Sequence, residues 1–178
     1  MVDGAGISER VMRSIAGNIY GENPPAALIP EMRRIRDRME KELAQENENR
    51  YDLKFGRGGQ VDIEYLVQFL ALVNAGRDPS LRQPNTLQAL AALEAAGILT
   101  PADRRLLEDA LRFYRRVENR LRIVSDRAAH QLPSAGPELL RLARRLGYGG
   151  EDPGRSAIDD YERHREAVRG LFERYLQL

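Results

Sequence analysis

Leu107, Leu111, Tyr114, Val117, Leu121 and Val124 recur every three or four residues through an otherwise charged stretch, the spacing of one face of a single long helix. Thr100-Pro101-Ala102-Asp103 opens it with a capping hydroxyl, a proline at the first helical position and an acid in the first turn. The expected span, 102–127, is roughly 40 Å long at about 1.5 Å per residue. A helix of that length with one apolar stripe cannot cover the stripe itself. Other helices must lie along it.

The rest of the chain supplies them. Ile7 to Tyr20 is a short candidate with Ser8 near its start, broken by Gly21, Asn23, Pro24 and Pro25. A second helix begins around Pro30, with Met32, Ile35, Met39 and Leu43 on one face and Arg33, Arg34, Arg36, Arg38 and Lys41 on the others. From Gln60 to Ala75 the chain is apolar around most of the helical circumference, which predicts a central position; Gly76 ends it. Gln83 to Ala96 follows, with Leu87, Leu90 and Leu93 inward. Pro137 to Leu146 is a short helix, and a long last one from about Arg155 to 176 buries Ile158, Tyr161, Val168, Phe172 and Tyr175. Tyr51 to Phe55 alternates apolar and polar residues, the chain's only strand signal. The expected fold is an all-α bundle of about five to seven helices. It forms one domain over 1–178, with 1–30 a leading segment and 31–178 the bundle proper.

Charge and composition narrow the functions open to such a bundle. The 28 Lys and Arg nearly balance 27 Asp and Glu, so a net charge of +1 draws in no nucleic acid at long range. Cysteine is absent, which excludes disulfides, thiolate metal sites and cysteine nucleophiles and suits a cytoplasmic protein. The two histidines, His130 and His164, have no acid or nucleophile near them in sequence and are assigned no role. The longest apolar runs, 65–67 and 69–73, fall well short of the ~20 residues that cross a bilayer. The first residues lack the basic-then-apolar order of a signal peptide, so no membrane partner is expected. No P-loop, nucleophile elbow, metal-ligand cluster or Gly-Ser with an Asp-x-Asp pair occurs, so no residue is assigned as catalytic or metal-binding.

The segment richest in chemistry is DLKFGRGGQVDIEYLVQ, Asp52 to Gln68. Gly56, Gly58 and Gly59 free the backbone for tight turns, and the helix that follows offers unpaired N–H groups and a positive dipole end. With Lys54 and Arg57 beside it, this start has the makings of a phosphate or carboxylate receptor; a glycine hinge with solvated cations is the other reading. Asp62 and Glu64 stand about 200° apart on the helix and cannot share a ligand as a pair. Asp62, in the first turn, suits the helix start. Glu64 and Gln68, four apart, make a polar strip on an apolar helix, so they are either paired internally or turned to a ligand or another domain. On the long helix Arg105, Arg112, Arg116 and Arg120 form a charged side, and Glu118 and Arg122 stand at pairing distance in sequence.

These blocks also carry a resemblance. DLKFGRGGQVDIEYLVQFLAL, then PSLRQPNTLQALAALEAAGIL, RFYRRVENRLRIVSDRAAHQLP and RLARRLGYGG, resemble the helical domain of bacterial glutamine synthetase adenylyltransferase from about Met32 to the C-terminus. The matching pattern is Lys54, Gly56, Gly58, Gly59, Asp62, Glu64 and Gln68. The resemblance implies a substrate-binding-type helical domain of a tandem nucleotidyltransferase. In each half of such an enzyme a polymerase-β-type catalytic domain precedes a helical one. One half attaches AMP from ATP to a tyrosine of glutamine synthetase, and the other removes it by phosphorolysis. Mg²⁺ and ATP would be bound mainly by the upstream domain, whose Gly-Ser…Asp-x-Asp carboxylates have no match here, so this chain is expected to be inactive alone. Lys54, Gly56, Arg57, Gly58 and Gly59 would lie near nucleotide phosphates, and Asp62, Glu64 and Gln68 would face the cleft. The wording Val61-Asp62-Ile63-Glu64 is closer to the C-terminal, adenylylating half. Expected partners are the upstream nucleotidyltransferase domain, glutamine synthetase and the PII signal protein. Two alternatives remain: the related helical domain of PII uridylyltransferase, and an interaction module that recognises glutamine synthetase or PII without meeting nucleotide.

Overall fold

The computed structural model describes residues 28–123 and 130–176, and the candidate helix Ile7–Tyr20 lies outside them. In chain order the described elements are α1 (Leu28–Leu43), β1 (Arg50–Asp52), α2 (Gln60–Asn74), a 3₁₀ turn at Pro79–Leu81, α3 (Thr86–Ala95), α4 (Pro101–Arg122), β2 (Gln131–Pro133), α5 (Gly136–Leu146) and α6 (Pro153–Tyr175). The all-α expectation holds. α4 and α6 pack along one another, α2 lies against α3, α4 and α6, and α5 closes over α4 and α6. Leu66 of α2, Leu90 of α3, Leu107, Leu111 and Val117 of α4 and Val168 of α6 meet in one core with no exposure to solvent. None of the described helices is long and apolar enough to cross a membrane.

The cap before α4 forms as its sequence implies: Thr100 Oγ1 accepts the Asp103 N–H at 3.1 Å. Asp103 also accepts the Tyr175 hydroxyl at 2.8 Å and pairs with Arg174 at 2.6 Å, which ties the start of α4 to the end of α6. Thr100→Ala is expected to cost about 1 kcal/mol. That lowers Tm by roughly 2–4 °C for a chain of this size. Thermal melts followed by circular dichroism check it, and an unshifted melt would show that the cap contributes nothing.

Several boundaries differ from the sequence reading. α4 ends at Arg122 rather than near 127: Ile123 is its C-cap and is 75% exposed, so the helix has already left the core there. Val124 and Arg127 lie outside the described residues. α3 starts at Thr86, not Gln83, because Asn85 caps it by accepting from Leu87 N–H at 2.9 Å. β1 is Arg50–Asp52 rather than 51–55, since Asp52 already begins a turn.

β1 pairs antiparallel with β2, Tyr51 opposite Leu132, a partner that three residues ending in a proline could not announce by periodicity. The apolar face predicted for α1 is rotated. Ile35 and Leu43 are exposed, while Arg36, assigned to the polar side, is wholly buried. Ile29 and Met32 pack on the core, and the Tyr65 hydroxyl donates to Met39 Sδ at 3.2 Å.

Candidate functional site

The glycine turn between β1 and α2 is held by two buried aspartates. Asp52, with no solvent exposure, accepts the N–H groups of Lys54 and Phe55 on Oδ1, both at 2.9 Å, and that of Gln45 on Oδ2 at 3.1 Å. This is the self-bonding by which a short acidic side chain organises a turn. Its Oδ2 also lies 3.7 Å from His130 Nε2, and the His130 carbonyl accepts Leu53 N–H at 2.8 Å. His130 therefore has a structural position that its sequence neighbours did not suggest.

Asp62, also wholly buried, pairs with Arg36 Nε and accepts Gly58 N–H at 2.7 Å. Arg36 Nη2 continues to the Gly56 carbonyl at 2.9 Å, so one guanidinium from α1 clamps both the turn and the first turn of α2. Arg169 of α6 stands 3.5 Å from Asp62 Oδ2 as a second cation. From α6, Arg165 Nε donates to the Arg57 carbonyl at 3.0 Å; from α4, the Tyr114 hydroxyl donates to the Gly58 carbonyl at 2.7 Å. Burial pushes the Tyr114 phenol far above its usual range, so it remains a neutral donor.

This arrangement corrects two expectations. Asp62, expected to face a cleft, points inward and neutralises Arg36. The phosphate-receptor idea also loses its backbone donors. The N–H groups of Lys54, Phe55, Gly56, Gly58, Gly59, Gln60, Val61 and Asp62 all already donate within the chain. Of the N–H groups from Lys54 to Asp62 only that of Arg57 is left to an anion, which would otherwise meet side chains. The glycines serve close approach instead. Gly58 has φ +71°, and a Cβ there would be driven into the Arg165 carbonyl; one on Gly56 would collide with the Asp52 carbonyl.

Two of the singled-out side chains remain at the surface near the turn. Lys54 is exposed, with its ammonium 5.1 Å from the Phe55 ring. Arg57 makes a half-exposed pair with Glu173 at 3.2 Å. Nearby, Gln60 Nε2 donates to Glu118 at 3.2 Å. Burial holds the Glu118 carboxyl above its usual range, partly offset by that bond. The expected Glu118–Arg122 pairing is replaced by this contact.

Glu64 and Gln68 lie further along α2 and belong to a different surface. They border a groove of about 300 Å³ whose walls are Val67, Ala71 and Leu72 on one side and Leu81, Pro84, Thr86 and Ala89 on the other. Among the described residues neither makes an ion pair or hydrogen bond. Of the two readings the sequence left open, internal pairing is the one that fails.

Arg36, Asp52, Tyr114, Arg165 and Arg169 all shape the turn and were not singled out from sequence. Only Asp52 carried a signal, an aspartate at the start of a turn.

A family profile described as GlnD PII-uridylyltransferase matches residues 31–176. Among curated relatives, the chain is similar to the bifunctional glutamine synthetase adenylyltransferase/adenylyl-removing enzyme of Streptomyces avermitilis, 39% identical over 146 residues. That alignment takes in 82% of the chain and 14% of the relative. Relatives of the same name from Xanthomonas campestris pv. campestris strain B100 and Stenotrophomonas maltophilia strain K279a are 47% identical over 97 residues and 42% over 111. Those alignments take in 54% and 62% of the chain and 10% and 12% of the relatives. The chain thus spans only about a seventh or less of the length of the curated relatives it matches.

Proposed function

Because this chain belongs to the GlnD PII-uridylyltransferase family, we propose that it is the helical domain of a nucleotidyltransferase that adenylylates glutamine synthetase, in the adenylylating, C-terminal half of a tandem enzyme. The names of the relatives support glutamine synthetase as the protein acted on, and a cytoplasmic setting goes with that substrate. The PII signal protein, named in the family description, is the second partner we assign.

One observation carries the reading: among the described residues Glu64 and Gln68 have no partner, at an open groove on the helix that is otherwise the most buried. Glu64 is half-buried there and Gln68 exposed, a polar strip among leucines that suits a surface another domain meets. We assign that role to the upstream nucleotidyltransferase domain. Lys54, exposed and close to the turn, is the cation this domain offers to a phosphate, with Arg57 shared between Glu173 and the ligand. The rigidly bonded turn keeps both in place, so the domain's contribution is positioning and charge.

Mg²⁺ and ATP belong to the intact enzyme in this reading. Among the described residues no three Asp, Glu or His side chains gather to hold a metal ion, and we assign the metal to the upstream domain.

Transfer of labelled AMP to purified glutamine synthetase tests the assignment. The 178-residue chain alone is expected to transfer none, and a longer protein carrying the upstream domain is expected to do so. In that longer protein, Glu64→Ala with Gln68→Ala is expected to lower turnover by roughly ten- to a hundredfold, through misplacement of the catalytic domain, with the melt unchanged. Undiminished turnover in the double variant would remove the groove from the function. Robust turnover by the chain alone would refute the division of labour between domains.

A further inference from the structure

Arg112, Arg116 and Arg120 follow one another at four-residue intervals on α4, so their side chains form a row that advances about 6 Å per step. With Arg115 they line a groove of about 750 Å³ between α4, Leu87 of α3 and His164 of α6. Several arginines elsewhere in the fold are bound to acids, among them Arg36 to Asp62, Arg104 to Glu94 and Arg169 to Glu173. In this groove only Arg112 is, to Glu108 at 2.6 Å. Among the described residues Arg115, Arg116 and Arg120 make no ion pair, and Asp109 is the one acid on the lining. Glu118, two positions from both Arg116 and Arg120, is about 200° around the helix from each and is bonded to Gln60.

We propose that this groove docks an acidic segment of a partner protein, an extended stretch whose carboxylates at alternate positions seat along the arginine row. Alternate residues of an extended chain lie roughly 6.6 Å apart on one face, close to the step of the row. Arginine is the side chain whose planar fork matches a carboxylate. A nucleic acid is the competing polyanion. The overall charge of +1 provides no field to attract one, whereas a local row suffices for a short acidic segment.

His164 is the built-in reporter. Its ring lies 4.9 Å from that of Phe113, and burial lowers its imidazole below the usual range, so it is neutral at pH 7. Asp109, Asp160, Arg116 and Arg163 are the charged groups acting on it. A carboxylate brought into the groove would favour its protonated form.

The test is an NMR titration of the 178-residue chain, labelled at arginine Nε and the histidine ring, with a peptide of alternating Glu and Ser. A Gln–Ser peptide, single-stranded DNA and inorganic phosphate are run in parallel. The glutamate peptide is expected to shift the row and His164 and to raise the His164 midpoint, while the glutamine peptide leaves them unmoved. Arg116→Gln with Arg120→Gln is expected to weaken binding roughly tenfold without moving the melt. Equal binding of the glutamine peptide, shifts confined to another surface, the same shifts with phosphate at the same concentration, or tighter binding of DNA would each overturn the proposal.

Discussion

Asp62→Ala is expected to lower stability by about 3–5 kcal/mol, the cost of taking from a buried guanidinium its closer counter-charge and leaving it only Glu40, at 3.4 Å. For a chain of this length that is a fall in Tm of roughly 10 °C or more. Arg36 has no solvent exposure, so it cannot turn out to water when its partner is removed without α1 lifting from the body. The loss is also felt in the turn, because Asp62 Oδ2 is the acceptor for Gly58 N–H and Arg36 is the donor to the Gly56 carbonyl. The same pair need not be indispensable as chemistry. Arg36→Met with Asp62→Leu removes both charges together and should recover part of the loss, as apolar replacements of buried ion pairs commonly do. Urea unfolding of the two single variants and the double completes the cycle. Additive losses would show that Arg36 and Asp62 do not depend on each other.

Gly58→Ala should be nearly as damaging, by a different route. Positive φ costs a non-glycine residue about 1–2 kcal/mol. The added methyl must also push back the Arg165 carbonyl, which is backbone and cannot swing aside. Overpacking of that kind adds about 1–3 kcal/mol. Gly97 is the internal control. Its φ is +72°, nearly the same as the +71° of Gly58, but nothing lies within 4 Å of where its Cβ would be. Gly97→Ala is therefore expected to lose only the dihedral part, about 1–2 kcal/mol. The difference between the two melts measures the close approach of the turn to α6. Equal losses would mean that φ alone matters and that the turn has room to give.

The Asp52–Gln68 block was legible as the chain's most informative stretch, and its glycines as positions of unusual backbone. Their purpose was not. From sequence, three glycines before a helix beside Lys54 and Arg57 read as an anion receptor. In the fold, Asp52 and Asp62 have taken the N–H groups of Lys54, Phe55 and Gly58, and backbone carbonyls have taken most of the others. Arg36 was the harder case. It stands among Arg33, Arg34, Arg38 and Lys41, and nothing local distinguishes the one that is buried from those left in solvent. Glu64 and Gln68 were legible as a pair because an apolar helix makes its polar strip conspicuous, and among the described residues neither finds a partner.

Helix identity, the cap at Thr100 and the central place of α2 were all written locally. A helix bonds each residue to one four positions away, and its apolar stripe shows within a few turns. Where charge is buried was settled elsewhere. Arg36 meets Asp62 across 26 residues, Tyr114 meets Gly58 across 56, and Arg165 meets Arg57 across 108. Such partners exist only after the helices pack, since a buried charge is tolerated by virtue of what folding brings beside it and not by its neighbours in the chain.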